Sequence, residues 1–231
     1  NSNGVKTKFE SYSTAQSPHF VHSVAIDKAA AYDLSPGGCW SLALRNVADK
    51  SGGEPKAVLE LEDRKQRDDC LNLNLDASDV HGKIVGDTWF GGIAWSPGGQ
   101  ERYVAYVAQA KGKTRKSYFE EKPSENKDAV FGGKFEYTAD WGEKYVGVKS
   151  TVISILDTLT GKVRIVPGFQ EGDTVGQPVW RNFVDGGGKR RYILSYTKWR
   201  KGASSGLSGQ MSAEEEEVES SGELWKLGMI Y

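Results

Sequence analysis

The sequence is short of cysteine, of long apolar runs and of excess charge, and each shortage closes off a class of protein. Only two cysteines occur in 231 residues, Cys39 and Cys70, and no C-x-x-C pair is present. That is too few for a disulfide framework and the wrong spacing for structural zinc, so the reading is two free thiols in a reducing compartment. No apolar stretch approaches the roughly 20 residues that a membrane-crossing helix needs. No N-x-[ST] sequon occurs either. Together these give a cytoplasmic expectation with no membrane partner. Lys and Arg number 30 against 31 Asp and Glu, a formal net charge of -1. Without a basic field, no nucleic-acid partner is expected.

What the chain has in quantity is glycine, at 28 residues, and aromatics, at 11%. Many turns with many Trp and Tyr suit short-stranded all-β architectures. Strict period-two alternation in Leu71-Asn72-Leu73-Asn74-Leu75, after the looser Val58-Leu59-Glu60-Leu61-Glu62, predicts a hairpin. A second hairpin is predicted from Val152–Leu156, the turn Asp157-Thr158-Leu159-Thr160-Gly161-Lys162, and Val163–Val166.

A turn-and-strand pattern recurs along the chain. Leu34-Ser35-Pro36-Gly37-Gly38 precedes the apolar strand Trp40–Leu44, and Trp95-Ser96-Pro97-Gly98-Gly99 precedes Arg102–Val107. A looser copy runs from Val179-Trp180 through Asp185-Gly186-Gly187-Gly188 to Arg191–Tyr196. Four-stranded units repeated around such a turn are blades of a β-propeller, whereas a β-sandwich gives no reason for the turn to recur. The fold class expected is therefore all-β, a partial β-propeller of about three four-stranded antiparallel blades. Residues 1–29 form an N-terminal lead-in and 30–231 the partial propeller, with blades at about 30–77, 88–168 and 176–231. Glu223 to Tyr231 reads as a third strand whose fourth is missing. The polar run 111–128 and the low-complexity run 200–222, with its block Glu214-Glu215-Glu216-Glu217, read as mobile insertions. The opening Asn1-Ser2-Asn3-Gly4 and the apolar end Leu227–Tyr231 suggest a piece of a longer chain.

Catalytic patterns fail one after another. Gly202-Ala203-Ser204-Ser205-Gly206 matches the G-x-S-x-G elbow, yet Leu207-Ser208-Gly209-Gln210 is too rich in Gly and Ser to form the helix behind it. The only histidines, His19, His22 and His81, all precede Ser204, so the order Ser, acid, His is impossible. His19 and His22 have no third metal ligand nearby. Gly112-Lys113-Thr114 resembles the end of a phosphate loop, but Val107 stands where the first Gly is required. Adjacent acids such as Asp68-Asp69 and Glu120-Glu121 are ordinary solvated charges. No catalytic, cofactor-binding or metal-binding residue is assigned, and no cofactor is expected.

One stretch is more specific: Phe135-Glu136-Tyr137-Thr138-Ala139-Asp140-Trp141-Gly142-Glu143, followed by the Val152–Val166 hairpin and Gly176-Gln177-Pro178-Val179-Trp180. With Gly91-Gly92-Ile93-Ala94-Trp95-Ser96 and Tyr103–Ala108 upstream, this order resembles the N-terminal β-propeller of the acylaminoacyl-peptidases, within the prolyl oligopeptidase family of serine peptidases. The resemblance spans roughly residues 30–200. It implies a propeller that caps a C-terminal α/β-hydrolase domain of the same polypeptide and filters substrates by size. Short N-acylated, typically N-acetylated, peptides would be the substrates, with the Ser-Asp-His triad outside this chain. Asp140 and Trp141 are expected to pin a turn and pack between blades. A homo-oligomer is compatible with this reading. The alternative is a non-catalytic propeller that acts as a protein-interaction scaffold or regulator, although the G-H…W-D pairs of WD repeats are lacking.

Overall fold

The computed structural model describes residues 29–49, 54–64, 72–97, 101–112, 115–116, 130–131, 140–142, 145–169, 172–184, 190–200, 216–220 and 223–227. Strands β1 (Ala31–Leu34), β2 (Trp40–Val47), β3 (Lys56–Asp63) and β4 (Asn72–Asp76) form a four-stranded antiparallel meander. A second sheet has the order β5 (Ile93–Trp95), β6 (Tyr103–Gln109), β9 (Thr151–Asp157), β10 (Val163–Ile165), again antiparallel throughout. Between β6 and β9 lie β7 (Arg115–Lys116) and β8 (Val130–Phe131), a short parallel pair. The third sheet combines β11 (Asp173–Val184), β12 (Arg190–Arg200), β13 (Glu216–Ser220) and β14 (Glu223–Leu227). No helix among the described residues is long and apolar enough to cross a membrane.

Burial explains why the strand sequences differ. In the first sheet, register aligns Leu44, Leu59 and Leu75 in one row and Leu42, Leu61 and Leu73 in the next. These leucines face one core cluster with Val104, Tyr106, Ala108 and Leu156 of the second sheet. The opposite face of the first sheet is polar, with Ser41 bonded to Glu62 at 3.0 Å and Arg45 to Glu60 at 2.6 Å. Alternation follows, because only one face meets an apolar neighbour. The second sheet is apolar on both faces. Its intervening residues Tyr103, Ala105, Ile153 and Ile155 form another cluster with Trp180, Leu194 and Tyr196 of the third sheet. The unbroken run Tyr103–Ala108 is thus the signature of a sheet covered on both sides. Each fully buried leucine contributes roughly 1.5–3 kcal/mol.

The recurrent serine has the same task twice. Ser35 N–H donates to Trp40 O at 2.9 Å while its Oγ accepts from Trp40 N–H at 2.9 Å. Ser96 N–H donates to Tyr103 O at 2.8 Å, and its Oγ accepts from Tyr103 N–H at 3.0 Å. Each hydroxyl closes its hairpin where the strands part. Removing it leaves a buried N–H unmet, so Ser96→Ala should lower stability by about 1–3 kcal/mol, read as a shifted denaturant midpoint with unchanged slope.

The chain passes from the first sheet to the second through 77–92, held very closely. Asn46 mimics a ladder partner: Nδ2 donates to Ile84 O at 2.9 Å and Oδ1 accepts from Ile84 N–H at 2.8 Å. A Cβ on Gly86 would stand 1.8 Å from Ala30 O, so only glycine fits there. At the opposite end of the two sheets, Gly37 N–H donates to the buried Glu101 carboxylate, joining the β1–β2 and β5–β6 turns.

The third sheet departs from the sequence reading. Strand β14 does pair with β12, but in parallel, through Tyr192↔Trp225 to Leu194↔Leu227. A strand also lies inside the 200–222 run: β13, antiparallel to β14 at the sheet edge. The physical reason is directional. With β13 crossing before it, β14 returns in the same sense as β12, whereas a simple meander would have reversed it.

Candidate functional site

Asp140 and Trp141 organise a loop between β8 and β9. Asp140 Oδ1 accepts Gly142 N–H at 2.9 Å and Oδ2 accepts Gly147 N–H at 2.7 Å. Both glycines have positive φ, 62° and 84°, where a side chain would be strained. Trp141 N–H donates to Val148 O at 3.1 Å, closing the loop. The Trp141 indole then reaches the third sheet, donating Nε1–H to Thr174 Oγ1 at 3.0 Å. This acid pins a turn, and this indole packs between sheets.

The Gly176-Gln177-Pro178-Val179-Trp180 stretch supplies the other half of the seam. A Cβ on Gly176 would lie 2.2 Å from Phe90 O, so the backbones touch there. Gln177 N–H donates to Phe90 O at 3.2 Å, and its side-chain Nε2 donates to Trp89 O at 3.0 Å. Trp180 Nε1–H reaches Ala94 O at 3.0 Å. Thr151 and Val175 exchange two further bonds, Thr151 Oγ1–H to Val175 O and Val175 N–H to Thr151 Oγ1, the latter at 2.7 Å. Below them Lys198 Nζ stands 3.0 Å from Asp173 Oδ2, with side chains only 4% and 3% exposed. Around Phe90, the rings of Trp141, Tyr145 and Trp199 close in at 5.2, 5.0 and 5.2 Å between centroids.

His81 is the one described histidine, and it is fully buried. Its Nδ1 lies 2.8 Å from Gly82 O and its Nε2 lies 2.6 Å from Tyr106 Oη. A carbonyl only accepts, so Nδ1 carries the proton and Nε2 accepts from the phenol. Burial holds the imidazole below its usual range, partly opposed by the Gly82 bond. Burial likewise pushes the Tyr106 phenol far up. Because the folded value is lowered, the unfolded chain binds more protons below about pH 6.5, and stability falls as pH drops through that window. His81→Gln, which keeps one donor and one acceptor, should flatten the fall between about pH 6.5 and 5, measured by melting temperature against pH.

These groups tie the second and third sheets to the loops between them. No cluster of three or more His, Cys, Asp or Glu suited to a metal occurs among the described residues. Ser204, His19, His22, Cys70, Asp68, Asp69, Glu120 and Glu121 lie outside the described residues. Sequence reasoning missed the Lys198–Asp173 pair and the His81–Tyr106 pair, because neither set is close in sequence. It also missed Phe90, whose only local signal was its place in Trp89-Phe90-Gly91-Gly92.

Of the stretches that carried the family resemblance, Asp140–Gly142 and Gly176–Trp180 contribute to this seam, while residues 135–139 and 143 lie outside the described residues. Residues 12–213 match the sequence family described as "Acylamino-acid-releasing enzyme, N-terminal domain". The chain belongs to this family. It is 29% identical over 159 residues to the acylamino-acid-releasing enzyme of Mus musculus, covering 63% of this chain and 21% of that protein. The Homo sapiens enzyme is 30% identical over 159 residues, with 63% and 21% covered. Acylamino-acid-releasing enzyme 2 of Oryza sativa subsp. japonica is 28% identical over 176 residues, with 74% and 22% covered. The match therefore spans about a fifth of the length of these curated relatives.

Proposed function

We propose that this chain is the propeller portion of an acylamino-acid-releasing serine hydrolase of the cytoplasm. Its three sheets are consecutive blades of a larger ring, with boundaries near 30–77, 88–168 and 176–231. Its work is to cap a C-terminal α/β-hydrolase domain of the same polypeptide and to admit only short N-acylated peptides. The family match over residues 12–213 carries the reading. The second sheet supports it, since apolar cover on both faces is what a blade between two blades requires. A rigid wall of such blades excludes bulky substrates and bulk water from the reacting serine. This chain supplies the wall and none of the reacting groups.

The whole polypeptide should release an N-acetylated amino acid from a short blocked peptide, and a serine-directed phosphonylating reagent should stop it. Release by the 231-residue chain alone, abolished by Ser204→Ala, would contradict the assignment.

A further inference from the structure

The first and second sheets meet across an apolar core, and one string of polar atoms runs through it. His81 sits where the chain leaves β4, its backbone N–H bonded to Ala77 O at 3.1 Å. In the neutral ring Nδ1–H donates to Gly82 O at 2.8 Å, and Nε2 accepts the Tyr106 hydroxyl at 2.6 Å. The two rings meet edge to face, with centroids 5.4 Å apart. Directly opposite Tyr106 in the β6–β9 register stands Ser154, fully buried. Its Oγ has no hydrogen-bond partner of ordinary geometry among the described residues. The Ser154 hydroxyl does act on the phenol, partly opposing the upward push of burial, so the two oxygens lie within reach of one another.

A buried hydroxyl without a partner costs roughly 1–3 kcal/mol, so its retention calls for a state in which it is used. Proton uptake by His81 creates that state. The imidazolium has two N–H donors and no acceptor, so Nε2 can no longer receive the phenol proton. With the ring now donating to Tyr106 Oη, the phenol needs a new acceptor, and Ser154 Oγ stands unused beside it. Every polar atom of the string is then paired, with one proton taken from solvent and none lost.

The surroundings leave this task to the string. Asp76 at the end of β4 faces Lys56 of β3, and Asp79 of the connector faces Lys111 beyond β6, each pair at 3.9 Å and exposed. Lys83 is exposed as well. Arg45 of β2 and Glu60 of β3 pair on the opposite face of the first sheet, where Glu62 takes the Ser41 hydroxyl. Asp157 at the far end of β9 pairs with Arg102. Tyr106 is thus the titratable partner of the ring, and the charge that His81 gains is met by hydrogen bonds alone.

We propose that Ser154 is the reserve acceptor of a reversible hydrogen-bond string: when His81 takes up a proton, Nε2–H donates to Tyr106 Oη and the phenol turns its own proton to Ser154 Oγ. The reversal keeps the junction of the first and second sheets closed in mild acid. NMR of the whole polypeptide with ring-labelled histidine tests it, the His81 resonance being identified by its loss in His81→Gln. The wild-type ring should titrate reversibly, below its ordinary range, while the protein stays folded. Ser154→Ala removes the acceptor, so the His81 midpoint should fall by about one pH unit. At about pH 8, where the phenol donates to His81, Ser154→Ala should melt no lower than the wild type. Equal midpoints in the two proteins would overturn the proposal, because the phenol proton would then have another acceptor. A ring that stays unprotonated until the protein unfolds would overturn it too. So would a melting temperature of Ser154→Ala already well below wild type at about pH 8, which would mean that the hydroxyl has a structural partner before His81 is charged.

Discussion

Replacing Lys198 with Met lowers the stability of the protein by about 3–5 kcal/mol, one of the two largest single-residue effects expected here. The ammonium and the Asp173 carboxylate stand 3.0 Å apart with almost no solvent access, joining the start of β11 to the end of β12. The Asp173 backbone carbonyl also takes the Ser150 hydroxyl at 2.6 Å, which anchors the main chain that carries the acid. Deleting the cation leaves a buried carboxylate without its ion partner. Replacing both residues at once, Lys198→Met with Asp173→Leu, removes the stranded charge and should recover most of the loss. Denaturant unfolding of the two variants measures this. A single variant that loses less than about 1 kcal/mol would mean that water reaches the pair, as it does at surface ion pairs.

Phe90→Ala is the second, at about 3–5 kcal/mol. The ring is fully buried among three other aromatic rings, so truncation removes both its transfer energy and the packing of those neighbours. Collapse is hindered because the Phe90 backbone is fixed against Gly176 and Gln177. The loss should be strongly non-additive with Trp199→Ala, since the two rings meet edge to face at 88°. Additive losses in a double-mutant cycle would show that the rings act independently.

The hairpins were legible because alternation and turn chemistry are local. Val152–Leu156 and Val163–Val166 paired as their sequence predicted, with Val163 opposite Leu156 and Gly161 in the positive-φ turn. The repeated Ser-Pro-Gly-Gly turn was legible for the same reason, with Ser35 and Ser96 making matching bonds. Asp140 also pins a turn as expected, through Gly142 and Gly147 N–H. What the sequence hid is long-range. The parallel pairing of β14 depends on the prior passage of β13, whose Glu-rich composition reads as a solvated loop. The seam partners Trp89 and Gln177, and Trp180 and Ala94, lie 88 and 86 residues apart, beyond any local pattern. Buried pairs such as His81 with Tyr106 carry no composition signal, because each residue alone is unremarkable.

The proposed role is that this stack of sheets filters substrates by size for a catalytic part of the same polypeptide. It is tested most directly by the rate of acetyl-amino-acid release from blocked peptides that differ only in length. The whole wild-type polypeptide should act on short peptides and refuse long ones, and Phe90→Ala should raise the long-to-short ratio by loosening the seam at Gly176. A wild-type enzyme that takes long blocked peptides as readily as short ones would contradict the account.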